Sequence, residues 1–196
     1  MNALIIIDVQ YDFLPGGPLG VNNGDEIIQT INMLQSTYDL VVATQDWHPI
    51  GHKSFYTSHS NKKPFEEISL NGVNQILWPE HCLQGTKGAE LVTELSTNNI
   101  EAIFRKGMDK KIDSYSGFFD NARKKATGMA DYLKGRGITS VAVCGLAADF
   151  CVYYTASDAL DLGFKSSIID CATKPIDPKE FEEIKKHFQQ KGGTII

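Results

Sequence analysis

Five short apolar runs rich in β-branched residues punctuate the chain: ALIIIDV (3–9), LVVATQD (40–46), AIFRK (102–106), ITSVAVCG (138–145) and FKSSIIDC (164–171). Runs of this kind suit strands buried on both faces, as in a parallel sheet. Between them lie stretches with helical spacing: 24–36, with apolar residues at 27, 28, 31 and 34; 121–135; 152–162; and 179–190 behind Pro178 at a first turn. The closing GTII supplies a sixth strand. Strand alternating with helix predicts an α/β fold of three layers, α-β-α, around a parallel sheet of about six strands. One domain over residues 1–196 is expected. Segment 47–100 breaks the alternation with Pro, Gly, His and aromatic residues, and a loop that long is expected to carry function.

Composition removes several classes of function. The formal net charge is −5, and Lys and Arg are scattered, so no basic stripe is available to a phosphate backbone and nucleic acid is not an expected partner. The apolar start, about seven residues long, is too short for a signal core or a membrane span, so no membrane partner and a cytoplasmic location are expected. Four cysteines (82, 144, 151, 171) without paired C-x-x-C spacing read as reduced thiols. No G-x-G-x-x-G, P-loop or G-x-S-x-G occurs, which argues against dinucleotide binding and a serine hydrolase.

In open α/β sheets, ligands bind beyond the carboxyl ends of the strands. Asp8 lies near the end of the first run, Asp46 ends the second and is followed by His48, Lys106 ends the third, and Cys151 follows the fourth where a helical pattern begins. A thiol near a helix N-terminus is expected to favour the nucleophilic thiolate; the other reading is a buried, inert thiol, which suits Cys82, Cys144 and Cys171. Alone, Asp8 reads equally as a cap and Lys106 as a solvated lysine; their convergence with Cys151 makes the case. Asp46 and His48 stand two apart on an extended segment, so both side chains point one way and suit one divalent metal. His81 in LWPEHC is the leading third ligand and His52 its rival, whereas His59 and His187 read as surface histidines.

Five segments, in order, carry a family resemblance: IIIDVQYDFLPGGPL (5–19), TQDWHP (44–49), WPEHC (78–82), KGMDKKIDSYSGFFD (106–120) and GLAADFCV (145–152). They resemble the nicotinamidases, also called pyrazinamidases, of the isochorismatase-like hydrolase superfamily, over nearly the whole chain. The resemblance implies a flat parallel sheet and an Asp–Lys–Cys triad at Asp8, Lys106 and Cys151. It implies one divalent metal on Asp46, His48 and His81, zinc first, with iron and manganese as alternatives. It also implies a cis peptide between Leu146 and Ala147, an oxyanion hole from the N–H groups of Ala147 and Cys151, and a pocket lined by Phe13, Trp78 and Tyr115. His52, at a spacing that varies among relatives, is an outer partner or an extra ligand, and Ala148 stands where many relatives have threonine.

The implied reaction is hydrolysis of nicotinamide, and of pyrazinamide, to the acid and ammonia through a cysteine thioester, in NAD salvage. Rival activities in the superfamily split the vinyl ether of isochorismate or act on ureides and carbamoyl compounds. The metal set favours the pyridine amide. The expected partner is that small molecule, with a homo-oligomer left open.

Overall fold

The computed structural model describes residues 1–196. Six strands form one all-parallel sheet: β1 (Asn2–Ile7), β2 (Leu40–Asp46), β5 (Ile100–Lys106), β6 (Ser140–Leu146), β7 (Lys165–Lys174) and β8 (Thr194–Ile195), in the order β5-β2-β1-β6-β7-β8. Register is set by apolar residues at the centre, where Ile5 of β1 faces Val42 of β2 on one side and Val143 of β6 on the other. The expected strands are all present, with ends shifted by a few residues.

Alternate residues of β1 feed two cores, as the period of a strand requires. Leu4 and Ile6 pack with Ala43, Cys144 and helix α1 (Ile28–Leu34), whereas Ile5 and Ile7 pack with Val42, Val143 and helices α2 (Met129–Gly135), α3 (Tyr153–Asp161) and α4 (Pro178–Gln190). These are the three expected layers. The edge strand β5 alternates half-buried and exposed residues, its exposed side carrying Glu101 and Arg105 on either side of Ile103. Helix α4 begins where the sequence placed it: Asp177 accepts from Lys179 N and Glu180 N, Pro178 takes the first turn, and Phe181 and Phe188 are buried.

Two expectations need correction. The helix expected over 121–135 forms only from Met129, because the Asp120 carboxylate takes the N–H groups of Lys124 and Lys125 and folds 120–127 into a tight loop. The segment 47–100 is not featureless: β3 (Glu67–Leu70) and β4 (Val73–Ile76) make an antiparallel hairpin. Its turn residues Asn71 and Gly72 both have positive φ, 53° and 82°, as a two-residue hairpin turn of the primed type requires.

The chain leaves β1 for β2 and β5 on one side of the sheet and returns to build β6, β7 and β8 on the other. The direction of winding therefore reverses between β1 and β6, and the crevice beyond their carboxyl ends is where such folds bind ligands.

Candidate active site

Asp8 follows β1 directly, with φ +47°, a left-handed conformation that aspartate tolerates better than most residues. Thr44 on β2 fixes its side chain, donating to Asp8 Oδ1 at 2.6 Å while accepting the Asp8 N–H at 3.2 Å. Lys106 is the last residue of β5 and is buried, as are Asp8 and Asp46. Its Nζ lies 2.8 Å from Asp8 Oδ2 and 3.2 Å from Asp46 Oδ1, and donates to Ser114 O at 3.0 Å and to Cys151 Sγ at 3.4 Å. Cys151 sits in a short π-helical turn, Ala148–Val152, between β6 and α3. One ammonium from the end of β5 thus ties together two carboxylates and a thiol from the ends of β1, β2 and β6.

Burial opposes the charge on Lys106, but Asp46 and Asp8 outweigh it and hold the ammonium well above its ordinary range. Burial raises the Asp8 carboxyl against the pull of Lys106, with Asp46 adding to the rise. Burial also pushes the Cys151 thiol well up, more than Lys106 lowers it. Burial therefore works against the thiolate that a position just before a helix was expected to favour. Cys82 and Cys144 are wholly buried, Cys171 is on the surface, and Cys151, 8% exposed, is the cysteine that lines the cleft.

Beside this cluster stands a second one. Asp46 closes β2, its peptide held by Gln10, which accepts from Asp46 N at 2.7 Å and donates to Asp46 O at 2.8 Å. Asp46 Oδ2 lies 3.4 Å from His48 Nδ1 and 3.3 Å from His81 Nε2. The far nitrogen of each ring is engaged: His81 Nδ1 with Pro79 O at 2.8 Å, and His48 Nε2 with Asp113 Oδ1 at 3.1 Å. Acceptors on the far side place the ring protons there and leave the inner nitrogens with lone pairs. His48 Nδ1 is buried and has no hydrogen bond within the protein. A buried carboxylate and two inward lone pairs are the donor set of a divalent cation, with the histidines oriented from outside as metal-ligating histidines are.

Burial works against a charged His48, but Asp46 and Asp113 raise it above its ordinary value, so a proton and a cation compete for the same nitrogen. Asp46 and Asp113 are both held far below the ordinary carboxylate range: burial opposes this in each, but the charges of His48 and Lys106 and the hydrogen bond of His81 prevail at Asp46, and the hydrogen bond and charge of His48, helped by His52 and Lys106, prevail at Asp113. Gly107 closes the wall; with φ +67°, a side-chain carbon there would lie 2.7 Å from Asp46 Oδ1.

His52 does not join the cluster. Its Nε2 meets Asp109 O at 2.7 Å and its Nδ1 meets Ser54 Oγ at 2.7 Å, so both ring nitrogens are engaged while the ring packs edge-on against His48, centroids 4.6 Å apart. Phe13, Trp78 and Tyr115 line the cleft, which holds about 340 Å³ of unfilled space, its mouth included. Leu19, Phe150, Ile176 and Asp113 line it too and were not singled out from the sequence. The Leu146–Ala147 peptide is cis, and Ala147 also lines the cleft.

Fold and site together define a hydrolase of the three-layer α/β type that carries a thiol at the carboxyl edge of its sheet. The chain belongs to the isochorismatase domain family, which it matches over residues 2–196. A nicotinamidase of Acinetobacter baylyi is 49% identical over 175 residues, 89% of this chain and 82% of that protein. The structure of an Acinetobacter baumanii nicotinamidase and pyrazinamidase superposes with a TM-score of 0.97 at 46% identity, covering 100% of this chain and 95% of that one. A Pyrococcus horikoshii pyrazinamidase, solved in complex with zinc, gives a TM-score of 0.82 at 35% identity, with 100% of this chain and 98% of that one covered. No helix is long and apolar enough to cross a membrane.

Proposed function

We infer that the chain is an amidohydrolase that converts nicotinamide to nicotinic acid and ammonia, and accepts pyrazinamide. The observation that carries this reading is Lys106 Nζ, 2.8 Å from Asp8 and 3.4 Å from Cys151, at the floor of an aromatic cleft whose wall also offers Asp46 and His81. The aromatic walls hold a flat ring, and a carboxamide on that ring reaches the thiol.

Asp8 is the base. It takes the Cys151 proton as Sγ attacks the carboxamide carbon, and Lys106 stabilises the sulfur anion and keeps Asp8 aligned. The N–H groups of Ala147 and Cys151 receive the tetrahedral oxyanion; the Ala147 N–H makes no hydrogen bond within the protein, which leaves it free for that use. Each such donor contributes roughly 2.7–4 kcal/mol to the transition state in a comparable hydrolase. Asp8 then protonates the leaving nitrogen, the C–N bond breaks, ammonia departs and a thioester remains. Water adds to that carbon and passes its proton to Asp8; the C–S bond breaks and the proton returns to sulfur.

Asp46, His48 and His81 would hold one divalent ion, zinc first among zinc, iron and manganese, and His52 supports His48 from outside. Such an ion supplies a Lewis-acid anchor for the ring nitrogen of the substrate and so orients the carboxamide. In a cell the enzyme recovers nicotinic acid from NAD breakdown. Four free thiols suit the reducing cytoplasm.

The test is ammonia release from nicotinamide by the purified protein, before and after exhaustive chelation, then with zinc, iron or manganese restored. Release that disappears with chelation and returns with metal supports both the activity and the metal's role. No release with any metal rejects the activity.

A further inference from the structure

We propose that Asp113 is a positioning residue for the metal centre: its carboxylate fixes the orientation and tautomer of His48, so that Nδ1 faces Asp46 and is presented to the ion. The inference rests on the metal reading above and adds a residue to it.

Asp113 lies in the loop after β5, is buried, and has no arginine or lysine in hydrogen-bond contact. Burying a carboxylate is costly unless it is paired and hydrogen-bonded. Here its oxygens are fully assigned: Oδ1 accepts from Ser114 N at 2.7 Å and faces His48 Nε2 at 3.1 Å, and Oδ2 accepts from Gln75 Nε2 at 3.2 Å. Ser114 and Gln75 each take one direction on the carboxylate, and His48 takes the second on Oδ1. A carboxylate can only accept, so Nε2 carries a proton, and in the neutral ring Nδ1 carries the lone pair.

The grouping His48, His52 and Asp113 is itself close enough to be considered as a cation site. Its members are already committed elsewhere: His52 to Ser54 and Asp109, Asp113 to Ser114 and Gln75. The free buried nitrogen, His48 Nδ1, points the other way. Asp113 therefore acts on the ion through the imidazole.

The arrangement also reaches the cleft wall. Gln75, delivered by the β3–β4 hairpin, donates to Asp113 and to Tyr115 Oη at 3.0 Å, and Trp78 Nε1 donates to the same hydroxyl at 3.3 Å. The carboxylate that orients His48 thus shares its donor with the aromatic wall.

The experiment strips metal from the wild type, Asp113→Asn, Asp113→Ala and His48→Ala, and titrates zinc against a chromophoric chelator. Circular dichroism and melting of the metal-free proteins check that each is folded. Asp113→Ala is expected to weaken zinc binding about 10–100-fold, and Asp113→Asn less, since its amide oxygen still accepts from Nε2. The visible spectrum of bound cobalt(II) should change in Asp113→Ala and stay nearer the wild type in Asp113→Asn. If the wild type binds zinc, His48→Ala loses it, and both Asp113 variants bind within about threefold of wild type with unchanged cobalt spectra, Asp113 is a structural brace and the proposal falls alone. A wild type without zinc affinity, or a His48→Ala protein that binds as well as wild type, overturns the metal reading and this proposal together.

Discussion

At the scale of single residues the site is an ammonium between anions, and this makes its members separable by experiment. Cys151→Ala removes the thiol and leaves the Lys106 pairs with Asp8 and Asp46 in place. That variant is expected to fold as the wild type does and to release ammonia from nicotinamide at a rate lower by roughly a thousandfold or more. Activity above a few per cent of wild type would remove Cys151 from the mechanism. Lys106→Met strands two buried carboxylates, and losing one partner of a buried ionic group costs about 3–5 kcal/mol. Urea unfolding at neutral pH should register that loss, and Asp8→Asn in the same chain should recover part of it. An additive double variant would show that the pair is not coupled.

At the scale of elements, the site depends on segments that hold one another at the sheet edge. Asp149, in the π turn that carries Cys151, accepts from Ile176 N at 3.0 Å and from Asp177 N at 2.8 Å, joining that turn to the loop before α4. Ile176 lines the cleft. Asp149→Ala leaves two N–H groups without their acceptor; a loss of about 1–3 kcal/mol is expected, together with a rise in KM for nicotinamide larger than the fall in kcat. An unchanged KM would mean that the loop holds its place without Asp149. Gly145 shows a second constraint: with φ +112°, an added side-chain carbon would come within 2.1 Å of Ile7 O on the neighbouring strand. Gly145→Ala is therefore expected to lower the melting temperature sharply. This scale was also the least legible in the sequence. Strands announced themselves by β-branched runs, but each strand of the hairpin at 67–76 is only four residues long and half-buried at its apolar positions, too short for its alternation to stand out. The helical spacing at 121–128 lost to the side chain of Asp120, a competition that periodicity does not register.

For the whole molecule, the reversal of winding at β1 and β6 explains why Asp8, Asp46, Lys106 and Cys151 were legible as one group before any distance was known: each sits at the carboxyl end of a strand or just past it. Asp113 was not, because a carboxylate in a loop usually reads as a turn former and nothing local reveals that His48, 65 residues away, will face it. The same charges set how stability responds to pH. Asp46 and Asp113 have folded values below the ordinary aspartate value of about 3.9. Their contribution is complete above that value and is lost as pH falls through it toward the folded values. His48 has a folded value above the ordinary histidine value of about 6.5. Its contribution is complete below that value and is lost as pH rises through the folded one. These three groups together favour the metal-free chain most between those two limits, with an acid limb that Asp113→Asn makes shallower, while Asp8, whose folded value is raised, works against them as pH rises through that value. Zinc takes the nitrogen that the proton would hold, so the stability gained on adding zinc should grow as pH rises across the His48 titration. Urea midpoints across this range, with and without zinc, test both slopes; a zinc increment that does not change with pH would mean that no proton leaves His48 when the metal binds.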